Sequence, residues 1–224
     1  MAVAFDVNET LFSLDAVRRR LDKMGLPELA LDLWFACTLR DGIALAAAGG
    51  SDRFGSIAVD TLLAVMVAAR REPARDLAEQ AVAAMEEMEP HPDVAGCFEV
   101  LNQGGIRIST LTNGSALMTE RLLERAGLRH LVERCMSVQD AGRWKPSAVP
   151  YLYAADQLDV APGRLALVAV HAWDVCGAHA AGLVTGWAAR LEGEFAERFG
   201  RPDVSGGDLV EVARGLLALP KPPA

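Results

Sequence analysis

The sequence predicts an α/β protein, with a doubly wound parallel sheet and an all-helical insert after the first strand. Three observations support this fold class. A short apolar run, Val3 to Phe5, has the character of a buried strand and ends on an acid, Asp6. Residues 15–89 show helical periodicity and little strand character. From His91 onward, helical and strand patterns alternate, which is typical of parallel sheets with right-handed crossovers.

The length and composition fit a globular protein. The chain has 224 residues, of which 51% are hydrophobic and 23% charged. This length is enough for a sizeable domain with a smaller second module. The net charge of -8 disfavours nucleic acid or an anionic membrane as a general partner, because both are negatively charged. A small anionic substrate stays compatible, since a local site can be basic on an acidic protein.

The cysteines and the first residues bear on location. Cys37, Cys97, Cys135 and Cys176 follow no CxxC or zinc-like spacing, so we expect buried, reduced thiols rather than a disulfide framework. Residues 1–5 contain no basic segment, and no apolar stretch approaches the roughly 20 residues of a membrane span. We therefore expect a cytoplasmic protein with no membrane partner.

The insert is predicted to contain four helices. Apolar residues recur at helical spacing from Leu14 to Met24, and Gly25 ends this first helix. The other three are expected at 29–48, 56–70 and 75–88. The predicted domains are an α/β core, residues 1–14 and 90–224, and a helical cap, residues 15–89. The insert leaves the sheet just past Asp6, so it has the position of a lid that excludes water or selects substrates.

The rest of the chain is predicted to supply the other strands and their crossover helices. We expect strands at 106–112, 134–138, 165–170 and 183–187, and helices at 93–103, 115–126, 147–158, 175–181 and 208–219. The polar loop from Glu192 to Gly207 receives no element and no role. Residues 220–224 are expected to form a frayed tail.

Polar or aromatic groups lie at or after the ends of four predicted strands. They are, in chain order, Asp6, Asn8 and Thr10 after the first strand, Thr112 at the end of the second with Asn113 after it, Lys145 after the third, and His171, Trp173 and Asp174 after the fourth. The carboxyl ends of parallel strands lie at one edge of a sheet. An acid, a hydroxyl, an amide, a lysine and a second acid are therefore expected to converge there.

In this order and spacing, the four motifs resemble those of the haloacid dehalogenase superfamily over essentially the whole chain. The nucleophile motif lies at Asp6, the Thr/Ser motif at Thr112, the lysine motif at Lys145 and the acidic motif at Asp174. The resemblance implies a Rossmann-like core with a helical cap inserted after the first strand. It also implies that Asp6 is a nucleophile.

Within the superfamily, the chain resembles the metal-independent type II L-2-haloacid dehalogenases. Lys145 followed six residues later by Tyr151 is similar to that branch's lysine and tyrosine pair. Residues 172–174 resemble its AWD signature, and residues 111–115 (LTNGS) resemble its LSNGS segment, with Thr in place of Ser. The helical insert matches the helical cap of that branch.

The phosphatases of the superfamily resemble the chain less closely. Their first motif is DxD, in which the second acid donates and recovers a proton. Here that position is Asn8, and an amide cannot do this at neutral pH. They usually carry a Gly-Asp pair ahead of the last motif, where this chain has Ala169-Val170. Asp6 and Asp174 are the remaining oxygen ligands, which depletes a magnesium site, and we predict no metal and no cofactor.

The resemblance implies a two-step hydrolysis of a small 2-haloalkanoic acid. Asp6, kept ionised by the ammonium of Lys145, attacks the halogen-bearing carbon from behind, expels halide and forms an aspartyl ester. Water then attacks the ester carbonyl of Asp6. Inversion at the carbon follows from the attack from behind.

Supporting roles follow from the same resemblance. The groups expected to hold the substrate carboxylate are Thr10, Thr112 and the backbone amides after Asn113. Asp174 and Tyr151 are expected to fix Lys145 and to help position water. The departing halide needs a donor, such as Asn113 or a cap arginine.

Several positions depart from the pattern of that branch, and they concern the substrate more than the nucleophile. The branch's cap arginine closely follows a Trp; after Trp34 the nearest arginine here is Arg40. The branch has a Tyr where this chain has Asn8. The Ser and Asn that precede its AWD signature correspond to Ala169 and His171. We take Asn8, Arg40, Thr112, Asn113, His171 and Trp173 as the substrate-binding candidates.

Simpler structural roles stay open for Asp174, His171 and Trp173. Asp174 suits the N-cap of the helix expected at 175–181 as well as the site. A histidine at a strand end, such as His171, is often a structural group, although it suits water activation or substrate contact too. Trp173 suits a pocket wall and the core equally.

Three functions remain under consideration. The first is metal-independent dehalogenation of a small halocarboxylate, with Asp6, Lys145, Asp174, Thr10 and Tyr151 as the catalytic group. The second is a magnesium-dependent phosphatase acting on a small phosphorylated metabolite, against which Asn8 argues. The third is ligand binding without turnover, against which the intact acids and lysine argue. The resemblance also implies a homodimer.

Overall fold

The computed structural model describes residues 1–220, and in this part of the chain the predicted doubly wound parallel sheet is confirmed. Six strands lie in the order β3-β2-β1-β4-β5-β6, and every neighbouring pair is parallel. The strands are β1 (Ala2–Phe5), β2 (Arg107–Thr112), β3 (Val132–Ser137), β4 (Leu165–Ala169), β5 (Val184–Ala188) and β6 (Val204–Gly206).

The first strand lies in the middle of the sheet, as its wholly apolar sequence requires. All of its residues are buried, and the ring of Phe5 packs 5.3 Å from that of Phe98, measured between centroids. Phe5 lies opposite Thr110 of β2 on one side and Val168 of β4 on the other. The order of the strands reverses at β1, and open α/β sheets bind ligands beyond the carboxyl ends of the strands at such a reversal.

The chain divides into two compact units, residues 1–12 with the chain from Pro90 onward, and Ser13–Glu89. The division falls two residues before the boundary predicted at residue 14. The smaller unit is built of helices. They are α1 (Asp15–Lys23), α2 (Ala30–Ala47), α3 (Phe54–Ala68), α4 (Arg75–Ala83) and a 3-10 turn, Ala84–Glu87. The helix expected at 75–88 is thus an α-helix that ends in this tighter turn.

Buried polar groups join α2 and α3 inside the helical unit. Trp34 is fully buried, and its indole Nε1 donates to the carbonyl of Ala58 at 2.7 Å. The hydroxyls of Thr38 and Thr61 lie 2.8 Å apart. Because buried polar atoms need partners, these contacts fix how the two helices align.

Up to residue 220, the larger unit has six α-helices around the sheet. They are α5 (Val94–Gln103), α6 (Ala116–Arg125), α7 (Val138–Ala141), α8 (Ala148–Gln157), α9 (Ala172–Ala180) and α10 (Leu209–Ala218). Several begin at a side-chain cap that the sequence supplies. Ser115 accepts from the Met118 amide at 3.3 Å, and Asp208 accepts from the Glu211 amide at 2.8 Å.

The structure differs from the sequence prediction at β6 and at the start of α9. Strand β6 lies in the loop that received no element, and Asp203 fixes its start by accepting from the amide and the hydroxyl of Thr185, both at 2.8 Å. Helix α9 begins at Ala172, three residues earlier than predicted. His171 is therefore its N-cap residue, and the N-cap role considered for Asp174 is wrong.

Other expectations about the chain have mixed outcomes. All four cysteines are free thiols, but only Cys97 is fully buried and the others are half-buried. Most of the tail expected at 220–224 lies outside the described residues. Among the helices of residues 1–220, none is both long and apolar enough to cross a membrane.

Gly177 of α9 lies against the loop that contains Pro146. A Cβ atom at Gly177 would lie 2.6 Å from Pro146 Cβ, 2.7 Å from the Tyr151 hydroxyl and 2.8 Å from the Pro146 carbonyl oxygen. Two of these neighbours belong to a proline and its backbone, which cannot rotate away. The close approach of α9 to this loop therefore depends on glycine.

We expect Gly177→Ala to lower the free energy of unfolding by about 1–3 kcal/mol, the usual effect of overpacking. Gly96→Ala is the matched control, because Gly96 is also helical and its added Cβ would make an ordinary 3.5 Å contact with Val210. The control is expected to be neutral or slightly stabilised by alanine's higher helix propensity. Urea unfolding of both variants measures the difference. Equal stability of the two variants would contradict the packing argument.

Candidate active site

Lys145 lies in a buried ionic cluster at the carboxyl ends of the strands. Its side chain has 0% exposure, and its Nζ donates to Asp174 Oδ2 at 2.8 Å and to Asp6 Oδ1 at 3.2 Å. The Asp174 side chain is also fully buried, whereas that of Asp6 keeps 9% exposure. Asp6 is therefore the member of the cluster that a small molecule can reach.

A hydroxyl group holds the second oxygen of each carboxylate. Thr10 Oγ1 donates to Asp6 Oδ2 at 2.8 Å, and the Tyr151 hydroxyl donates to Asp174 Oδ1 at 2.6 Å. Each carboxylate thus has one oxygen on Lys145 and the other on a hydroxyl. This pairing fixes the rotation of both side chains.

The environment keeps protons on Lys145 and Tyr151. Burial lowers the pKa of Lys145, but the charges of Asp174 and Asp6 outweigh it, so this pKa lies above its ordinary value of 10.5. Burial, together with the charge of Asp174, raises the pKa of Tyr151 well above 10.0. Burial also raises the pKa of Asp174, against the opposing effect of Lys145. At neutral pH, Lys145 and Tyr151 therefore act as donors to the two carboxylates.

The loop after β1 is tied to β4, which fixes the position of Asp6. The Asp6 amide donates to the Val168 carbonyl at 3.0 Å, and Thr10 Oγ1 accepts from the Val170 amide at 3.2 Å. Glu9, between these contacts, has a φ of 63°, a left-handed conformation uncommon for a residue other than glycine. The nucleophile candidate therefore stands on a tight, well-anchored turn.

These contacts bear on the role predicted for Thr10. The sequence predicted that Thr10 holds a substrate carboxylate, but its single hydroxyl proton is donated to Asp6 and its oxygen accepts from Val170. The Gly114 amide, the first after Asn113, likewise donates to Thr112 Oγ1 at 2.9 Å. Both groups thus already have partners within the protein, and their carboxylate-holding role stays a prediction. The Thr112 hydroxyl and the next amides remain candidates.

The loop after β2 is fastened on both sides. Asn113 Oδ1 accepts from the Lys145 amide at 3.1 Å, so this side chain holds the backbone of Lys145. Ser137 Oγ donates to the Gly114 carbonyl at 2.6 Å. Sequence reasoning missed Ser137 because the predicted strand ran to Val138, which made Ser137 an internal residue. Ser137 is the last residue of β3, and the other candidate site residues were identified because they lie at or just after the ends of strands.

Asn8 lies beside this second loop. Its Nδ2 is 3.8 Å from the point where a Cβ of Gly114 would be, and the residue is buried. Its Oδ1 is buried and accepts no hydrogen bond from residues 1–220. A buried acceptor of this kind is unfavourable unless a ligand or water supplies a donor.

The residues after β4 form the first turn of α9. His171 is buried, and its ring stacks on that of Trp173 with centroids 5.7 Å apart. Asp174 lies in the first helical turn, where the helix dipole favours a negative charge. The Ala172 amide donates to Glu192 Oε2 at 3.0 Å, and Glu192 belongs to the loop for which the sequence suggested no role.

Arg40 belongs to the helical unit and not to the group just described. It lies in α2, its side chain is 67% exposed, and its Nε donates to Asp41 Oδ1 at 2.7 Å. The other predicted residues belong to the larger unit. Hydrogen bonds link a single group of them, namely Asp6, Thr10, Asn113, Lys145, Tyr151 and Asp174. The substrate-binding role of Arg40 stays a prediction.

Known proteins similar to this chain point to one family. A family model described as haloacid dehalogenase-like hydrolase matches residues 1–182. The chain is 28% identical over 179 residues to (S)-2-haloacid dehalogenase 4A of Burkholderia cepacia, an alignment covering 79% of this chain and 78% of that protein. It is 33% identical over 110 residues to (S)-2-haloacid dehalogenase 1 of Pseudomonas sp. (strain CBS-3), covering 49% and 48%.

A solved structure shows the same fold. It is the L-2-haloacid dehalogenase from Xanthobacter autotrophicus with chloropropionic acid covalently bound, with a TM-score of 0.86 and 23% identity over 98% of this chain and 99% of that chain. The family match includes all three members of the buried ionic cluster, Asp6, Lys145 and Asp174. The chain therefore belongs to the haloacid dehalogenase-like hydrolase family.

Proposed function

We propose that this protein hydrolyses small 2-haloalkanoic acids through a covalent ester on Asp6, without a metal and with inversion at the halogen-bearing carbon. The observation that carries the proposal is the fully buried Lys145 ammonium bonded to Asp6 and Asp174. It supplies the positive charge that keeps Asp6 an ionised nucleophile. The names of the similar proteins support the substrate class, and one of them has chloropropionic acid covalently bound.

In the first step, a carboxylate oxygen of Asp6 attacks the carbon that carries the halogen. The new C–O bond forms as the carbon–halogen bond breaks, and the halide leaves with the bonding electrons. Attack from the side opposite the halogen inverts the carbon. Lys145 and Thr10 hold the carboxylate at a fixed angle, which brings the nucleophile close to its attack geometry.

In the second step, water attacks the carbonyl carbon of the Asp6 ester. The carbonyl oxygen becomes negatively charged, and the Lys145 ammonium stabilises it. The water's proton goes to an acceptor at the same edge of the sheet, for which Asp174 and His171, both after β4, are the candidates. Collapse of the intermediate breaks the ester bond, and the departing substrate oxygen takes up the proton held by that acceptor. The 2-hydroxy acid leaves, and one water oxygen stays in the Asp6 carboxylate.

Substrate binding is assigned to groups around Asp6. The Asn113 amide NH2 or Arg40 serves as donor to the departing halide, and the Thr112 hydroxyl holds the substrate carboxylate. Asn8, His171 and Trp173 are the remaining contact candidates. A cytoplasmic homodimer, with no nucleic acid or membrane partner, stays part of the proposal.

The residues around Asp6 do not fit a magnesium site of the kind phosphatases use. Magnesium in proteins is usually held by one or two carboxylates together with other oxygen ligands. Here the ammonium of Lys145 already binds the oxygens of Asp6 and Asp174, and Asn8 stands where the phosphatases have the acid that donates a proton. Within residues 1–220, no three His, Cys, Asp or Glu side chains gather as a metal site. Phosphate transfer therefore has no support in this donor set.

We expect the protein to release halide from L-2-chloropropionate in the presence of EDTA. Hydrolysis of p-nitrophenyl phosphate with magnesium is measured in parallel. Asp6→Asn should lower halide release by about 10³-fold or more, because it removes the nucleophile. A single turnover in heavy-oxygen water should label the Asp6 carboxylate, read by mass spectrometry of its peptide. Magnesium-dependent phosphate release without halide release, or label only in the product, would reject the proposal.

Asn8→Asp tests the assignment at the second position of the first motif. A carboxylate beside Asp6 should repel the anionic substrate and lower kcat/KM for 2-chloropropionate by about 10-fold or more. No magnesium-dependent phosphatase activity should appear, since Lys145 holds the place of the cation. Asn8→Ser, which adds no charge, is the control and should lose less. A gain of phosphatase activity in Asn8→Asp would show that the donor set does fit magnesium.

The raised pKa of Lys145 predicts the alkaline limit of turnover. The two carboxylates favour the charged ammonium, so the charge is present below the ordinary lysine value of 10.5 and is lost only as the pH rises above it. A pH profile of kcat/KM, over the range where the protein stays folded, should show no loss from Lys145 below this value. A fall centred near neutrality that disappears in Lys145→Arg would contradict the prediction.

A further inference from the structure

Arg190 binds the backbone of the loop that carries Asp6. It follows β5, in a part of the sequence to which no function was assigned. Its Nη2 donates to the carbonyl oxygens of Thr10 at 2.6 Å and Glu9 at 3.3 Å. All of these residues belong to the α/β unit. A side chain 180 residues away in sequence from Thr10 therefore holds the loop next to the nucleophile.

Asp93 in turn holds Arg190. Arg190 Nη1 donates to Asp93 Oδ2, and the same oxygen accepts from the Leu209 amide at the start of α10 at 2.9 Å. The two side chains are only 23% and 13% exposed, so water screens this ion pair less than it screens a surface pair. The guanidinium is thus anchored to the ends of two helices while it binds the loop.

The bound segment has a conformation that needs such support. Glu9 has a φ of 63°, which a residue with a Cβ adopts rarely and keeps only where its surroundings fix it. Its amide donates to the Phe12 carbonyl at 2.8 Å, and its carbonyl accepts from Arg190. Arg190 therefore binds the turn at Glu9, the residue with the unfavourable backbone conformation.

Thr10 connects this support to the reacting carboxylate. Its carbonyl accepts from Arg190, and its hydroxyl donates to Asp6 Oδ2 at 2.8 Å. A change in the Thr10 backbone thus moves the hydroxyl that orients Asp6. None of the hydrogen bonds described for Arg190 goes to Asp6, so Arg190 acts on Asp6 through Thr10.

We propose that Arg190, anchored by Asp93, is a positioning residue that sets the angle at which the Asp6 carboxylate meets its substrate. Arginine suits this position because its rigid, planar group presents donors to two carbonyls and a carboxylate at once, which a lysine ammonium cannot match. The inference rests on the proposed function, since attack by Asp6 is the reaction measured. Its test also has a readout that needs no turnover.

Arg190→Ala is the principal variant, and Arg107→Ala is the matched control. Arg107 also belongs to the α/β unit and makes a two-contact pair with Glu133, both at 2.7 Å, at the exposed start of β2. We expect Arg190→Ala to lower kcat for halide release by about 10²-fold, as misplacement of a reacting group by about 1 Å does. KM should change by less than about 3-fold, because the substrate contacts are retained. The control should keep kcat.

Added methylguanidinium, at concentrations that leave the melting temperature unchanged, separates positioning from a loss of folding. It should restore part of kcat in Arg190→Ala and none in Asp6→Asn. Asp93→Asn keeps the shape of the anchor without its charge, and should lower kcat less than Arg190→Ala does. Unchanged kcat in Arg190→Ala overturns the proposal. So does a loss of kcat that follows the melting temperature and resists methylguanidinium.

Hydrogen exchange tests the contact without substrate. The Leu11 and Phe12 amides donate to the Val7 carbonyl at 2.9 and 3.1 Å, and their exchange should become faster in Arg190→Ala while the peptides of β4 stay unchanged. If the wild-type protein releases no halide, the proposed function fails, but faster exchange still supports the hold of Arg190 on the loop. Unchanged exchange at Leu11 and Phe12 overturns the inference whatever the activity.

Discussion

The structure depends on the burial of one positive charge. The Lys145 ammonium has no exposure to water and is neutralised by two carboxylates, Asp6 after β1 and Asp174 in the first turn of α9. Removing one partner of such a buried set leaves an uncompensated charge, at about 3–5 kcal/mol. The lysine backbone is held by Asn113, and Tyr151 of α8 holds Asp174. One ion therefore draws segments from the whole α/β unit to a single point.

Much of this arrangement could be predicted from the sequence, for an identifiable physical reason. Asp6 and Asp174 come after apolar strands and Thr112 is the last residue of β2, and parallel strands end at the same edge of the sheet. The start of α9 was harder to predict, because Ala172 and Trp173 fit the end of a strand as well as the start of a helix. Strand β6 was missed because it is only three residues long and depends on Asp203, a side chain outside the strand.

The sequence does not show which partner each polar group takes. The four-residue spacing of Asp6 and Thr10 places a hydroxyl near the acid but does not show that its proton is already used. Arg190 and Asp93 look like ordinary surface charges, because they are 97 residues apart and their meeting depends on how α5 and α10 pack. Ser137 was not identified because the predicted end of β3 was one residue too late. These roles follow from contacts between distant segments, which local patterns do not encode.

The central position of β1 also affects the order in which the molecule can assemble. Its Ala2 pairs with Arg107 on one side and with Leu165 on the other, and Asp6 is 139 residues from Lys145. Contacts so far apart in sequence form slowly, whereas the helical unit is one continuous segment of the chain. The reactive ion cluster is therefore completed only when the distant strands have joined β1. Until then, Asp6 is present without the ammonium that binds it in the folded protein.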